Sequence, residues 1–108
     1  MDFKFVKIVT FVPLSHAKKV RQAFAQAGAG HIGNYDYCSF SSLGTGRFRP
    51  MKGAKPFIGE TNKIEEVKEE RIEVICRMKI LDTVLKAVRV AHPYEEPVID
   101  VYPLLNTF

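Results

Sequence analysis

Nine residues near the N-terminus, Lys4 to Val12 (KFVKIVTFV), are apolar at both parities. β-Branched and aromatic residues in such a run predict a strand. Phe5, Val9 and Phe11 share one face with Lys7, and Val6, Ile8 and Val12 share the other with Thr10. A strand apolar on both faces belongs at the centre of a sheet covered on both sides. The rest of the chain has to provide that cover.

Pro13 ends the strand, and Ser15 is placed to cap a following helix. Ala17, Val20, Ala23, Phe24 and Ala27 recur at helical spacing, with Lys18, Lys19, Arg21 and Gln22 turned outward. Gly28 and Gly30 then supply a stop, because glycine tolerates the left-handed conformation found just past a helix. Tyr35 to Ser42 alternates as a second strand. In Val67 to Arg77, Ile72, Val74 and Cys76 lie on one side and Glu69, Arg71 and Glu73 on the other. A second helix is expected from about Ile80 to Ala91 on the stripe Leu81, Val84, Leu85 and Val88, and Val98 to Leu104 reads as a last strand. With right-handed crossovers this order predicts an α+β, ferredoxin-like βαββαβ plait: one antiparallel sheet with two helices on one face. Two helices cover one face only. The second layer is therefore expected from self-association through the open face, as a trimer or a dimer.

A chain of 108 residues makes a single domain, as domains run roughly 100–200 residues. Apolar residues are 46% and charged residues 26%, which excludes a disordered chain. No apolar run approaches the roughly 20 residues that span a bilayer, so no membrane role is expected. The N-terminus lacks the pattern of a signal peptide. Cys38 and Cys76 are too few for a disulfide scaffold, and they point to a reduced, cytoplasmic protein with two half-buried thiols.

The formal charge of +4 is localised. Arg47, Arg49, Lys52, Lys55 and Lys63 face Glu60 alone, which is the whole excess. The same stretch holds Gly44, Gly46, Gly53, Gly59, Pro50 and Pro56, a composition unsuited to a helix or central strand. It reads as a long basic loop over about 43–63, and such loops are uncommon unless functional or disordered. Gly44-Thr45-Gly46-Arg47-Phe48-Arg49-Pro50 sets two guanidiniums beside flexible glycines, which suits a small anionic ligand. It lacks the ending of a phosphate-binding P-loop and any stacking platform, so nucleic acid is not expected as a partner.

The densest chemistry is Ala91-His92-Pro93-Tyr94-Glu95-Glu96-Pro97, an imidazole, a phenol and two carboxylates on a turn stiffened by prolines. It is either a rigid connector or a contact surface for a ligand or partner. His92 with Glu95 or Glu96 also has the donors for a divalent metal ion or an acid/base pair. Gly28, Gly30 and Gly33 spell G-x-G-x-x-G, but they follow a helix and lead into a strand, the reverse of a dinucleotide site. They read as a helix end and a turn, with Asn34 in the turn.

Five segments taken together, Gly28–Phe40, Gly44–Pro50, Gly53–Gly59, Glu69–Glu73 and Ala91–Pro97, resemble the YqfO, or Nif-three-like, family in order and over nearly the whole chain. The match is to the inserted domain of its longer members, of which this sequence resembles a stand-alone version. That insert looks like the PII and CutA proteins, which implies a ferredoxin-like fold trimerising through its sheets. The family's dinuclear metal centre and cyclohydrolase-like activity belong to flanking α/β segments, so the resemblance carries neither onto these residues. It does carry the surface formed by His92, Tyr94, Glu95 and Glu96 with the Gly44–Gly59 loop. Val98-Ile99 before Asp100 departs from the family's alanine and tyrosine.

The expectation is a non-enzymatic, oligomeric module, regulatory in role, that binds a small ligand, an ion or a protein partner. Its candidate residues are His92, Tyr94, Glu95, Glu96, Arg47, Arg49 and Asn34. The alternative is a metal-binding protein or metal-dependent hydrolase-like enzyme, with His92 and Glu96 as ligands completed at a subunit interface. No cofactor is implied outright, a divalent metal ion being the one candidate.

Overall fold

The computed structural model describes residues 2–105. Strand β1 (Phe5–Pro13) leads through a 3-10 turn (Leu14–His16) into helix α1 (Ala17–Gln26). Strands β2 (Phe40–Phe48) and β3 (Glu65–Arg77) follow, then a second 3-10 turn (Met78–Ile80), helix α2 (Leu81–Ala91) and strand β4 (Ile99–Leu104). The sheet order is β2-β3-β1-β4, every neighbouring pair antiparallel. This is the expected ferredoxin-like plait, with β1 at the centre.

Val6, Ile8 and Val12 of β1 meet Ile72 and Val74 of β3 beneath Val20 and Phe24 of α1 and Val84 and Val88 of α2, all almost fully buried. Each such side chain stabilises the fold by roughly 1.5–3 kcal/mol through removal from water. Gly28, with φ of 104°, closes α1. Its N–H donates to the Ala25 carbonyl and that of Ala29 to the Phe24 carbonyl, the paired bonds of a Schellman end. Ser15 is not the helix cap. It sits in the 3-10 turn that starts the helix early, and its Oγ pairs with His16 Nδ1 at 2.8 Å.

Two boundaries differ more. Tyr35 to Ser39 is loop, and β2 starts at Phe40. The Ile75 carbonyl, which a longer β2 would need, accepts from Gly30 N–H at 2.7 Å instead, and Tyr37 has φ of 58°. The glycine-rich stretch, conversely, is not all loop, for Gly44 to Phe48 belong to β2. Glycines weaken a strand, but β2 is an edge strand paired throughout with the long β3. The irregular segment shrinks to 49–64.

On the open face Val9 is fully buried although no helix covers it. Lys7 and Arg71 both reach Glu73, at 3.9 and 3.3 Å, and the Arg71 guanidinium lies 5.5 Å from the centre of the Phe11 ring. The stems of these charged side chains provide part of the missing layer. No helix among the described residues is long and apolar enough to cross a membrane.

Both cysteines are free. Cys76 is buried, and desolvation pushes its thiol up to about 11. Cys38 is half-buried in the loop before β2. Iodoacetamide at pH 8 is therefore expected to label Cys38 quickly and Cys76 only on unfolding. Peptide mapping by mass spectrometry checks this, and equal labelling rates in the folded protein would contradict the burial.

Candidate functional site

β2 and β3 run past the ends of β1 and β4, because β1 stops at Pro13 opposite Glu69 while β3 begins at Glu65. The overhang leaves a shelf. Residues 49–64 fold over one side of it, and the connector 92–98 crosses the other. Between them lies an open cleft of about 760 Å³, lined among others by Phe11, Gly46, Phe48, Met51, Phe57, Glu69, Tyr94 and Val98. The segment 49–64 is tied together internally: Asn62 N–H donates to the Pro50 carbonyl at 2.7 Å and Ala54 N–H to that of Met51 at 3.0 Å. Lys55 N–H donates to Glu95 Oε1 at 2.9 Å, joining loop to connector. Phe57 meets the His16 ring edge-on at 5.3 Å.

His92 is 5% exposed and holds the connector down. Its Nδ1 faces the Tyr94 N–H at 3.2 Å and so accepts, which leaves Nε2 to donate to the Phe11 carbonyl at 2.8 Å. That carbonyl lies one residue beyond the last β1–β4 pair, Thr10 with Ile99, where the fourth strand no longer reaches. Thr10 Oγ1 donates to the Val98 carbonyl at 2.8 Å at the same junction. Burial pulls the imidazole below its usual pKa, against smaller upward pulls from the Phe11 carbonyl and Glu69. The ring is neutral with both nitrogens occupied.

Tyr94 turns toward β3 and donates from its hydroxyl to Glu69 Oε2 at 2.7 Å. Burial, then the bond to this carboxylate, push the phenol well above its ordinary pKa, so it stays a donor. Its ring stands 6.0 Å from that of Phe48 and 5.0 Å from that of His92. In the sequence Glu69 stands only with Arg71 and Glu73 on the charged side of its strand. It is 9% exposed and forms part of the cleft wall. The clue lies diagonally across the ladder, where Gly44 pairs with Glu69 and Gly46 with Val67: a Cβ on Gly46 would lie 1.9 Å from Glu69 Oε1.

The other candidates divide. Arg47, Arg49, Tyr94, Glu95 and Glu96 all line the cleft. Arg47 is already paired with Glu66 at 3.0 Å. With Lys52, the cleft carries three basic and three acidic side chains, so it lacks the positive character of the loop's sequence. Asn34 lies apart, in a turn closed by mutual backbone bonds between Ile32 and Tyr35. That turn is tethered through Gly30 to Ile75, roughly 20 Å along β3 from Glu69 at the rise of an extended strand. Among the described residues no group of three or more His, Cys, Asp or Glu is arranged to hold a metal ion. Glu96 is exposed, and His92 has no lone pair to offer without leaving its backbone partners. The residues present do not fit the metal centre associated with the resemblance.

No family model matches the chain. It is 51% identical over 100 residues to a GTP cyclohydrolase 1 type 2 homolog of Halalkalibacterium halodurans, covering 93% of this chain and 27% of that protein. A homolog of the same description in Bacillus subtilis is 46% identical over 101 residues, again covering 27% of the relative. The chain thus spans about a quarter of the length of the relatives it matches. Among solved structures, a Bacillus cereus protein related to NIF3 superposes with a TM-score of 0.83 at 49% identity, over 96% of this chain and 26% of that one. The periplasmic divalent cation tolerance protein CutA of Archaeoglobus fulgidus gives 0.69 at 19% identity, over 96% and 87%, a likeness of fold. In sequence and fold together, the chain matches one CutA-like folded part of the YqfO, or Nif-three-like, proteins, the part its motifs resemble.

Proposed function

We propose that this domain is a non-enzymatic, self-associating binding module, regulatory in role, whose small ligand sits in the cleft between residues 49–64 and the connector 92–98. The observation that carries this reading is the cleft itself: it has the size of small-molecule sites, mostly apolar walls and a few polar groups fixed within them. Loop and connector are linked by the Lys55–Glu95 bond, so occupancy at one is felt by the other. An ion at His92 and Glu96 would need the imidazole to give up a buried backbone bond, which favours an organic ligand over a metal. Self-association, as a trimer, is supported by Phe40 and Tyr102, both exposed on the open face.

A thermal-shift panel of nucleotides, phosphate, bicarbonate, primary amines and divalent ions on the purified chain tests the reading. A ligand at 100 times its Kd adds about 2.7 kcal/mol, a shift of several degrees in a domain this size. At least one probe is expected to shift the native protein and to lose its effect in Phe48→Arg, which fills the cleft. Absence of any shift across the panel, or a shift that Phe48→Arg leaves intact, would overturn it.

A further inference from the structure

Building on that cleft reading, we infer that Glu69 anchors a small organic cation, a primary amine carrying an aromatic or aliphatic group. Glu69 is 9% exposed and what remains open of its carboxylate faces the cleft, so a ligand that displaces water there has to supply a hydrogen-bond donor or leave a charge unpaired, which is costly. Glu69 receives one: the Tyr94 hydroxyl takes Oε2, and among the described residues Oε1 accepts none. That free oxygen lies over Gly46, where any side chain would collide with it at 1.9 Å. The edge strand is thus relieved at the one position where Oε1 needs room.

The domain's own cations do not meet this need. Arg47 is held by Glu66, and no ion pair among the described residues includes Glu69, although Arg49 and Lys52 line the same cleft. Three aromatic rings line the cleft together with the carboxylate: Phe11, Phe48 and Tyr94, the last in contact with it. Ring faces attract ammonium groups, and Glu95 and Glu96 on the connector offset two of the three basic side chains that line the cleft. An ammonium donating to Oε1 completes the carboxylate's hydrogen bonding while its carbon chain lies along Phe48 and Met51. A phosphate or carboxylate in the same place meets repulsion, and a neutral ligand leaves Oε1 unpaired.

The test compares three probes of matched shape, phenethylamine, 2-phenylethanol and 3-phenylpropanoate, by amide NMR titration with the Gly46 N–H as reporter. Phenethylamine is expected to bind best. Glu69→Gln keeps the shape and the Tyr94 bond but should weaken the amine by about tenfold or more, as loss of a charged hydrogen bond does. The alcohol should respond little to that change. Gly46→Ala, which displaces the carboxylate without removing its charge, should weaken the amine as well. Equal binding of all three probes, or amine binding indifferent to Glu69→Gln, would overturn the cation inference while leaving the cleft reading standing. Binding of none of the three overturns the inference, and the wider panel then decides the cleft reading separately.

Discussion

Gly30→Ala is expected to lower stability by about 3 kcal/mol, and the midpoint of thermal unfolding by more than about 10 °C in a domain this size. Two effects combine. Gly30 has φ of 76°, a conformation in which an L side chain costs of order 1–2 kcal/mol. The new Cβ would also lie 2.4 Å from the Cys38 carbonyl oxygen, which is backbone and cannot swing away. Relief would pull apart the bonds that Gly30 makes from its N–H to the Ile75 carbonyl, at 2.7 Å, and from its carbonyl to Cys38 N–H, at 2.9 Å. These pin the 28–39 loop to β3. Gly33→Ala separates the two effects, since Gly33 has φ of 58° but nothing within 4 Å of its would-be Cβ. That variant should lose only the conformational part, about 1 kcal/mol. Urea unfolding of both variants measures the difference, and equal losses would mean that the approach to Cys38 contributes nothing.

The same glycines show how far the sequence could be read. Periodicity placed both helices and three strands to within about two residues, because amphipathic stripes such as Val84, Leu85 and Val88 report which side faces the core. Strand β2 was misplaced because its boundaries depend on partners distant in sequence. The β3 edge is claimed by Gly30 at one end, and the length of β3 supports Gly44 to Phe48 at the other. Composition could not reveal either. The connector 92–97 was singled out for its chemistry, yet His92 turned inward for a reason legible only in the sheet: β4 stops at Ile99 and leaves the Phe11 carbonyl without a strand partner. Glu69 was hidden by its alternation with Arg71 and Glu73, which looks solvated until Gly46 and Tyr94 are brought against it. Side chains that act through a register are invisible until the register is known.

His92→Ala is the second large effect, expected to cost about 2–4 kcal/mol at pH 7.5. The substitution strands two main-chain groups at once, the Phe11 carbonyl and the Tyr94 N–H, each worth roughly 1–3 kcal/mol when left unsatisfied and buried. It also frees the connector that carries Tyr94 to Glu69. The native histidine imposes a pH dependence of fixed sign. Burial depresses its pKa in the folded protein, so the unfolded chain binds more protons on acidification. Its contribution is fully present above the unfolded value of about 6.5 and is lost as pH falls from there through the folded value. His92→Gln gives the control, because its amide can still donate to the Phe11 carbonyl but does not titrate. Stability of the native protein should fall more steeply between pH 7 and 5 than that of His92→Gln, and the curves should converge toward the acid end. Urea unfolding across that interval decides the matter: parallel curves would mean that the imidazole takes up its proton as readily in the folded protein as in the unfolded chain, and that it does not hold the connector as a neutral ring.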